Sequence, residues 1–148
     1  MTSTTFVHTS DLQLGMTRWF LDAVAQGRFD DARLRAVDRL GEVAAEHGAE
    51  FIVVAGDVFE HNSLSDRVTG RALERLRSLP VPVYLLPGNH DPLVADSIFR
   101  RTDGVAGVHV LGGAAPVEVA PGVEIVAAPL LAKRATTDLV REALEPLA

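Results

Sequence analysis

Short, near-continuous apolar runs alternate along this chain with longer segments of helical periodicity. Thr5 to Thr9 is a β-branched and apolar run that ends in Ser10 and Asp11, and predicts a buried strand running into a long loop. From Asp30 to Gly48 the apolar positions Leu34, Val37, Leu40 and Ala44 recur at three- and four-residue steps, which predicts a helix stopped by Gly48. A second strand is predicted at Phe51–Ala55, ending at Gly56 and Asp57. Ser63, with Asp66 three residues on, reads as a shortened capping box for a helix whose buried stripe is Val68, Ala72, Leu76 and Leu79, closed by Pro80 and Pro82. Val83–Leu86 is the third strand, ending at Pro87 and Gly88. The pattern then predicts a helix within Val94–Arg101, strands at Val108–Leu111, Val117–Val119 and Val123–Ala127, and a last helix over Thr137–Leu147.

Strand, helix, strand, helix, strand with apolar strands means parallel strands joined by right-handed crossovers and covered by helices. The fold class expected is α/β. No internal repeat, low-complexity tract or linker divides the chain, so its 148 residues read as one unit. The closing helix buries a stripe with no strand after it, and the expectation drawn from this is that residues 1–148 are the N-terminal part of a longer, truncated domain.

Composition narrows the chemistry. With no cysteine, a disulfide framework, a thiolate metal site and a cysteine nucleophile are all excluded, and any metal must be held by oxygen and imidazole. The formal net charge of -6 supplies no bulk positive field for nucleic acid, although carboxylates that gather divalent cations reverse their local sign. No apolar run is long enough to span a bilayer, and the start MTSTTFVHTSD has neither a basic nor an apolar leader region. The reading is a cytoplasmic protein with no membrane contact.

Three strands end in polar clusters: Ser10-Asp11-Leu12-Gln13, Gly56-Asp57-Val58-Phe59-Glu60 and Gly88-Asn89-His90-Asp91. Parallel open sheets bind ligands at the carboxyl ends of their strands, so these clusters should meet. Asp11, Gln13, Asp57 and Asn89 offer oxygens and His90 an imidazole, a set suited to Mn²⁺ or Mg²⁺. Gly56 and Gly88 are read as the points where the backbone turns sharply. Gly-Asp and Gly-Asn are common turn dipeptides when taken singly; three such clusters in one α/β pass are not.

FVHTSDLQLG, VVAGDVFE and LLPGNHD, in that order and on strand ends, resemble the calcineurin-like metallophosphoesterase signature, and the surrounding words are most similar to SbcD-type DNA repair exonucleases. The resemblance covers roughly residues 5 to 95. It implies half or more of a four-layer α/β/β/α sandwich and a phosphodiester hydrolase with two divalent ions, Mn²⁺ before Mg²⁺. Carried over, Asp11 and Gln13 would bind the first ion, Asp57 would bridge both and Asn89 would bind the second. His90 would act on the leaving group or phosphate, oriented by Asp91. A DNA substrate, an SbcC-type ATPase partner and a homodimer follow from the same resemblance.

Two departures qualify the match. Gln13 stands where the family carries a histidine, which exchanges imidazole for a weaker neutral donor. Nothing after Asp91 matches the family's later Gly-His and Gly-His-x-His segments, and His109 reads as structural. A small-molecule phosphodiesterase or phosphatase, and a non-catalytic module, therefore stay open. Among lesser candidates, His8 lies on the first strand with its direction undecided by alternation. Glu60 and His61 read as a solvated loop before a supporting role at the site. Arg18-Trp19-Phe20 reads as a base-stacking element or a loop anchor, and Arg100-Arg101 as complements to a helix dipole before phosphate contacts.

Overall fold

The computed structural model describes residues 3–148. Four parallel strands, β1 (Phe6–Thr9), β2 (Phe51–Ala55), β3 (Val83–Leu86) and β4 (Val108–Val110), lie side by side in chain order, and β1 and β2 are joined through α1 (Ala23–Glu46), β2 and β3 through α2 (Asp66–Arg77). Register pairs Phe6 with Phe51, Ile52 with Val83 and Tyr84 with His109. Because side chains alternate across a strand, this register sorts the sheet's residues onto two faces. Ile52, Val54, Val83 and Leu85 meet Leu34, Val37 and Ala44 of α1 and Ala72 and Leu76 of α2 in the larger core. Phe51 and Tyr84 face the other way, where an antiparallel hairpin of β5 (Val117–Ala120) and β6 (Val123–Ile125) joins Leu111 and Ala127 in a second core. The α/β class holds, with α1 and α2 on one face of the sheet and the hairpin, together with the closing helix over Leu139–Leu144, on the other.

Several boundaries differ from the sequence reading. The first helix begins at Ala23 rather than Asp30, because the Asp22 side chain caps the Ala25 amide at 2.8 Å, a polar signal outside the apolar stripe. The second helix is capped by Ser65, which accepts from Val68 N, and not by Ser63, whose hydroxyl meets His61 Nδ1. That helix ends at Arg77, so Leu79 packs on the core from beyond it. The helix expected within Val94–Arg101 is a 3-10 turn over Ile98–Thr102, and the last helix is a short α3 (Leu139–Leu144) running into a 3-10 turn at Glu145–Leu147, where Pro146 removes an amide donor. Arg101 does more than complement a dipole: it donates to the Leu64 carbonyl and Thr69 Oγ1 and pairs with Asp66 at 2.9 Å, tying this turn to α2. Among the described residues no helix is long and apolar enough to cross a membrane.

Candidate metal centre at the strand ends

Pairing between β1 and β2 does not stop where the strands do. Asp11 N donates to Gly56 O at 3.0 Å, Gln13 N to Asp57 O at 2.9 Å, Leu14 N to Val58 O at 2.9 Å, and Glu60 N back to Leu14 O at 3.0 Å. The first two polar clusters are thus laid along each other by backbone bonds. The third is sewn to the second through side chains. His90 N donates to Asp57 Oδ1 at 3.1 Å, and the Asp91 carboxylate accepts from Phe59 N at 2.9 Å and from Gly88 N at 2.8 Å. Asn62 adds a clamp the sequence reading missed: its amide donates to Pro92 O, and its Oδ1 accepts from Ile98 N at 2.9 Å.

The result is a crevice of about 270 Å³ whose lining includes Asp11, Asp57 and Asn89, with Gly56, Gly88 and Leu130. Asp57 is 8% exposed, whereas Asp11 and Asn89 stand open to solvent. Asp11, Gln13 and Asp57 all adopt left-handed backbone, with φ of 56°, 44° and 52°. Such conformations cost on the order of 1 kcal/mol or more for a residue with a Cβ and persist where the surroundings enforce them. The sharp turns expected at the glycines therefore fall partly on the ligand-type residues themselves. Gly56 does turn, at φ +100°, but Gly88 serves differently: a Cβ there would strike the carboxylate and amide nitrogen of Asp57. Gly88 is small so that the second and third loops can touch.

Three oxygen donors on one crevice, two of them carboxylates, suit a hard divalent cation. Among the described residues no group of three or more His, Asp or Glu side chains gathers, so Asn89 is needed to complete even this minimal set, and water or phosphate oxygens would have to supply the other positions. Gln13 is half-buried beside the crevice and not on its wall. His8 and His109 stand on the hairpin side of the sheet, where His109 stacks on Tyr84 at 5.0 Å. Trp19 is 94% exposed, with Phe20 edge-on to it at 5.7 Å, so neither anchors the loop; buried Leu14 and Met16 do.

The expectation that Asp91 orients His90 is corrected. Asp91 is 0% exposed and its two oxygens are taken by amides of the flanking loops, which makes it the clamp between them. The His90 ring instead meets Glu60: Nδ1 lies 3.1 Å from the Glu60 carbonyl oxygen and 3.7 Å from Oε1. Glu60, read from sequence as a solvated loop residue, has its other carboxylate oxygen buried without a partner among the described residues. Its spacing of three from Asp57 was the available signal.

Burial pushes the Asp91 carboxyl above its ordinary 3.8, against the pull of the Phe59 and Gly88 amides. A raised folded-state pKa means the folded chain holds this proton to higher pH than the unfolded chain does. The stability tied to that proton is complete below the unfolded pKa and is lost as pH rises through the folded one. Asp91→Asn cannot titrate, so the melting-temperature advantage of the wild type over this variant is expected to shrink from about pH 4 upward. Thermal unfolding across pH tests this, and an advantage that grows with pH would contradict it.

A family model for calcineurin-like phosphoesterases matches residues 4–127. The chain is 27% identical over 124 residues to the uncharacterized metallophosphoesterase YhaO of Bacillus subtilis, covering 80% of this chain and 30% of that protein. It is 32% identical over 111 residues to the DNA double-strand break repair protein Mre11 of Archaeoglobus fulgidus, covering 72% of this chain and 24% of the relative. A protein of the same name from Methanococcus maripaludis is 29% identical over 89 residues. The chain thus spans less than a third of the length of these relatives. The family match takes in all four strands of the parallel sheet, the three loops that meet at the crevice and every oxygen donor on it, and the chain belongs to the calcineurin-like phosphoesterase family.

Proposed function

We propose that this chain carries the first ligand loops of a divalent-metal phosphodiesterase that acts on DNA, with exonuclease activity. The observation that supports it most is the meeting of Asp11, Asp57 and Asn89 on one crevice beside His90. Calcineurin-like phosphoesterases use divalent metals. In this reading the site would take two ions, Mn²⁺ before Mg²⁺, which when bound would supply polarisation of the phosphoryl oxygens and activation of water. Asp11 would hold the first, Asp57 would contribute to both and Asn89 would hold the second through its amide oxygen, while Gln13, beside the crevice and not on its wall, would reach the first only by a change of side-chain position.

What the chain's own groups do follows from their hydrogen bonds. Asp57 Oδ1 already accepts the His90 amide, which leaves Oδ2 free for a cation. A carbonyl only accepts, so His90 Nδ1 carries the proton toward Glu60 O and Nε2 is the ring nitrogen left for a phosphate or leaving-group oxygen. Nε2 can then donate only from the imidazolium, whose charge the Glu60 carboxylate 3.7 Å away balances. DNA is favoured as substrate by the relatives named as double-strand break repair proteins. An SbcC-type ATPase partner and a homodimer belong to this reading of the longer protein.

Hydrolysis of bis(p-nitrophenyl) phosphate and of end-labelled duplex DNA, each with Mn²⁺, tests the proposal. His90→Ala is expected to lower turnover by about a hundredfold or more, the scale of general acid catalysis, with Mn²⁺ affinity retained. Unchanged turnover would overturn the role given to His90. Hydrolysis of the small diester without DNA cleavage would favour a small-molecule enzyme, and a folded, metal-binding chain without turnover would favour the non-catalytic module.

A further inference from the structure

One arginine of α1 gives its guanidinium to the first ligand loop and not to a carboxylate. Arg33 Nη1 donates to the Leu12 carbonyl at 2.6 Å, and Nη2 lies 3.2 Å from Met16 Sδ. The guanidinium carbon sits 4.8 Å from the centre of the Phe29 ring, and Nε is buried with no partner among the described residues. Neighbouring arginines behave differently: Arg39 pairs with Glu42 and Glu46, Arg71 with Asp31 and Arg75 with Asp38, all at the surface. Among the described residues Arg33 forms no ion pair, so its burial is not explained by charge pairing.

Leu12 lies between Asp11 and Gln13, both left-handed. Its carbonyl belongs to the planar peptide whose N–H is that of Gln13, and this N–H donates to Asp57 O at 2.9 Å. The one peptide is therefore pinned from both sides, by Arg33 on its oxygen and by the backbone of Asp57 on its hydrogen. Pinning the plane fixes ψ of Leu12 and φ of Gln13, which is where the loop leaves ordinary backbone space.

We propose that Arg33 is the positioning residue of the first ligand loop: by holding the Leu12 carbonyl it keeps Gln13 in its left-handed backbone and so fixes the course of the loop that presents Asp11 beside Asp57. The inference rests on the metal-centre reading for its consequence in binding, and on the loop geometry alone for its consequence in the metal-free chain. Nothing in the three strand-end motifs contains Arg33, since the residue acts on a main-chain oxygen that sequence spacing does not reveal.

Two readouts test it on the 148-residue chain. Arg33→Met keeps an apolar stem of similar length and removes every donor, together with the guanidinium over Phe29; it is expected to weaken Mn²⁺ binding by about tenfold or more, the scale seen for groups that orient metal ligands. In the metal-free protein its Gln13 amide is expected to exchange with solvent at least about tenfold faster, while the Ile52 amide in the sheet keeps its protection. Arg33→Lys restores one donor and should recover part of both effects. Arg71→Met, whose guanidinium borders the same side of α1 but pairs only with exposed Asp31, should change neither. Wild-type Mn²⁺ affinity together with wild-type Gln13 exchange in folded Arg33→Met would overturn the proposal. If Arg33→Met does not fold, wild-type values of both in folded Arg33→Ala, which also lacks every donor, would overturn it. If the wild-type chain binds no Mn²⁺, the metal-centre reading falls and Gln13 exchange alone decides the role of Arg33.

Discussion

Asp57→Asn is expected to lower phosphodiester turnover by more than about a hundredfold, since a ligand should matter more than the groups that orient it. The metal-free variant is nevertheless expected to be at least as stable as the wild type. Asparagine keeps an oxygen for the His90 amide, so the bond that joins the second and third loops survives. What disappears is a negative charge that lies in a nearly buried position and acts on Asp91 behind it. A site that gathers carboxylates for an absent cation gives up stability to do so, and neutralising one of them relieves that cost. Activity assays paired with thermal unfolding in chelator check both halves. A variant that loses turnover because it no longer folds would contradict the account.

Gly88→Ala should have the opposite signature, losing stability and metal binding together. The added Cβ would meet Asp57 at its carboxylate and at its amide nitrogen, with Cγ at 3.0 Å. The carboxylate has little freedom because Oδ1 accepts from His90, and the amide nitrogen is backbone held by the ladder to the first loop. One loop must move away from the other, and the Asp91 bonds that join them must stretch. Overpacking of this kind costs about 3 kcal/mol, or about 10 °C in melting temperature for a chain of this size. Denaturation followed by Mn²⁺ titration of the folded variant measures both; a stable variant with wild-type affinity would show that the close approach is not required.

The three strand-end clusters were legible because strand-ending glycines and acids interrupt apolar runs at the positions where a parallel sheet gathers ligands. Asp11, Asp57 and Asn89 could be placed together from topology alone, before any distance was known. The partners of those residues were not legible in the same way. Asp91 sits next to His90 in sequence, yet its carboxylate turns inward to two amides, while the His90 ring turns to Glu60, thirty positions earlier in the chain. Asn62 and Arg33 act through main-chain atoms of other loops, and a main-chain acceptor leaves no residue type to recognise. The early start of α1 escaped for a related reason: its first turns are set by the Asp22 cap and by Gln26, which donates to Met16 O, and not by an apolar stripe. Left-handed backbone at Gln13 carries no compositional mark at all.

The crevice at the ends of β1, β2 and β3 is expected to hold a divalent cation. Titration calorimetry of the wild-type chain with Mn²⁺, repeated on Asp57→Asn, tests it most directly. A saturable heat below the millimolar range, lost in the variant, is expected. No saturable heat in the wild type, or the same heat in both proteins, would contradict it.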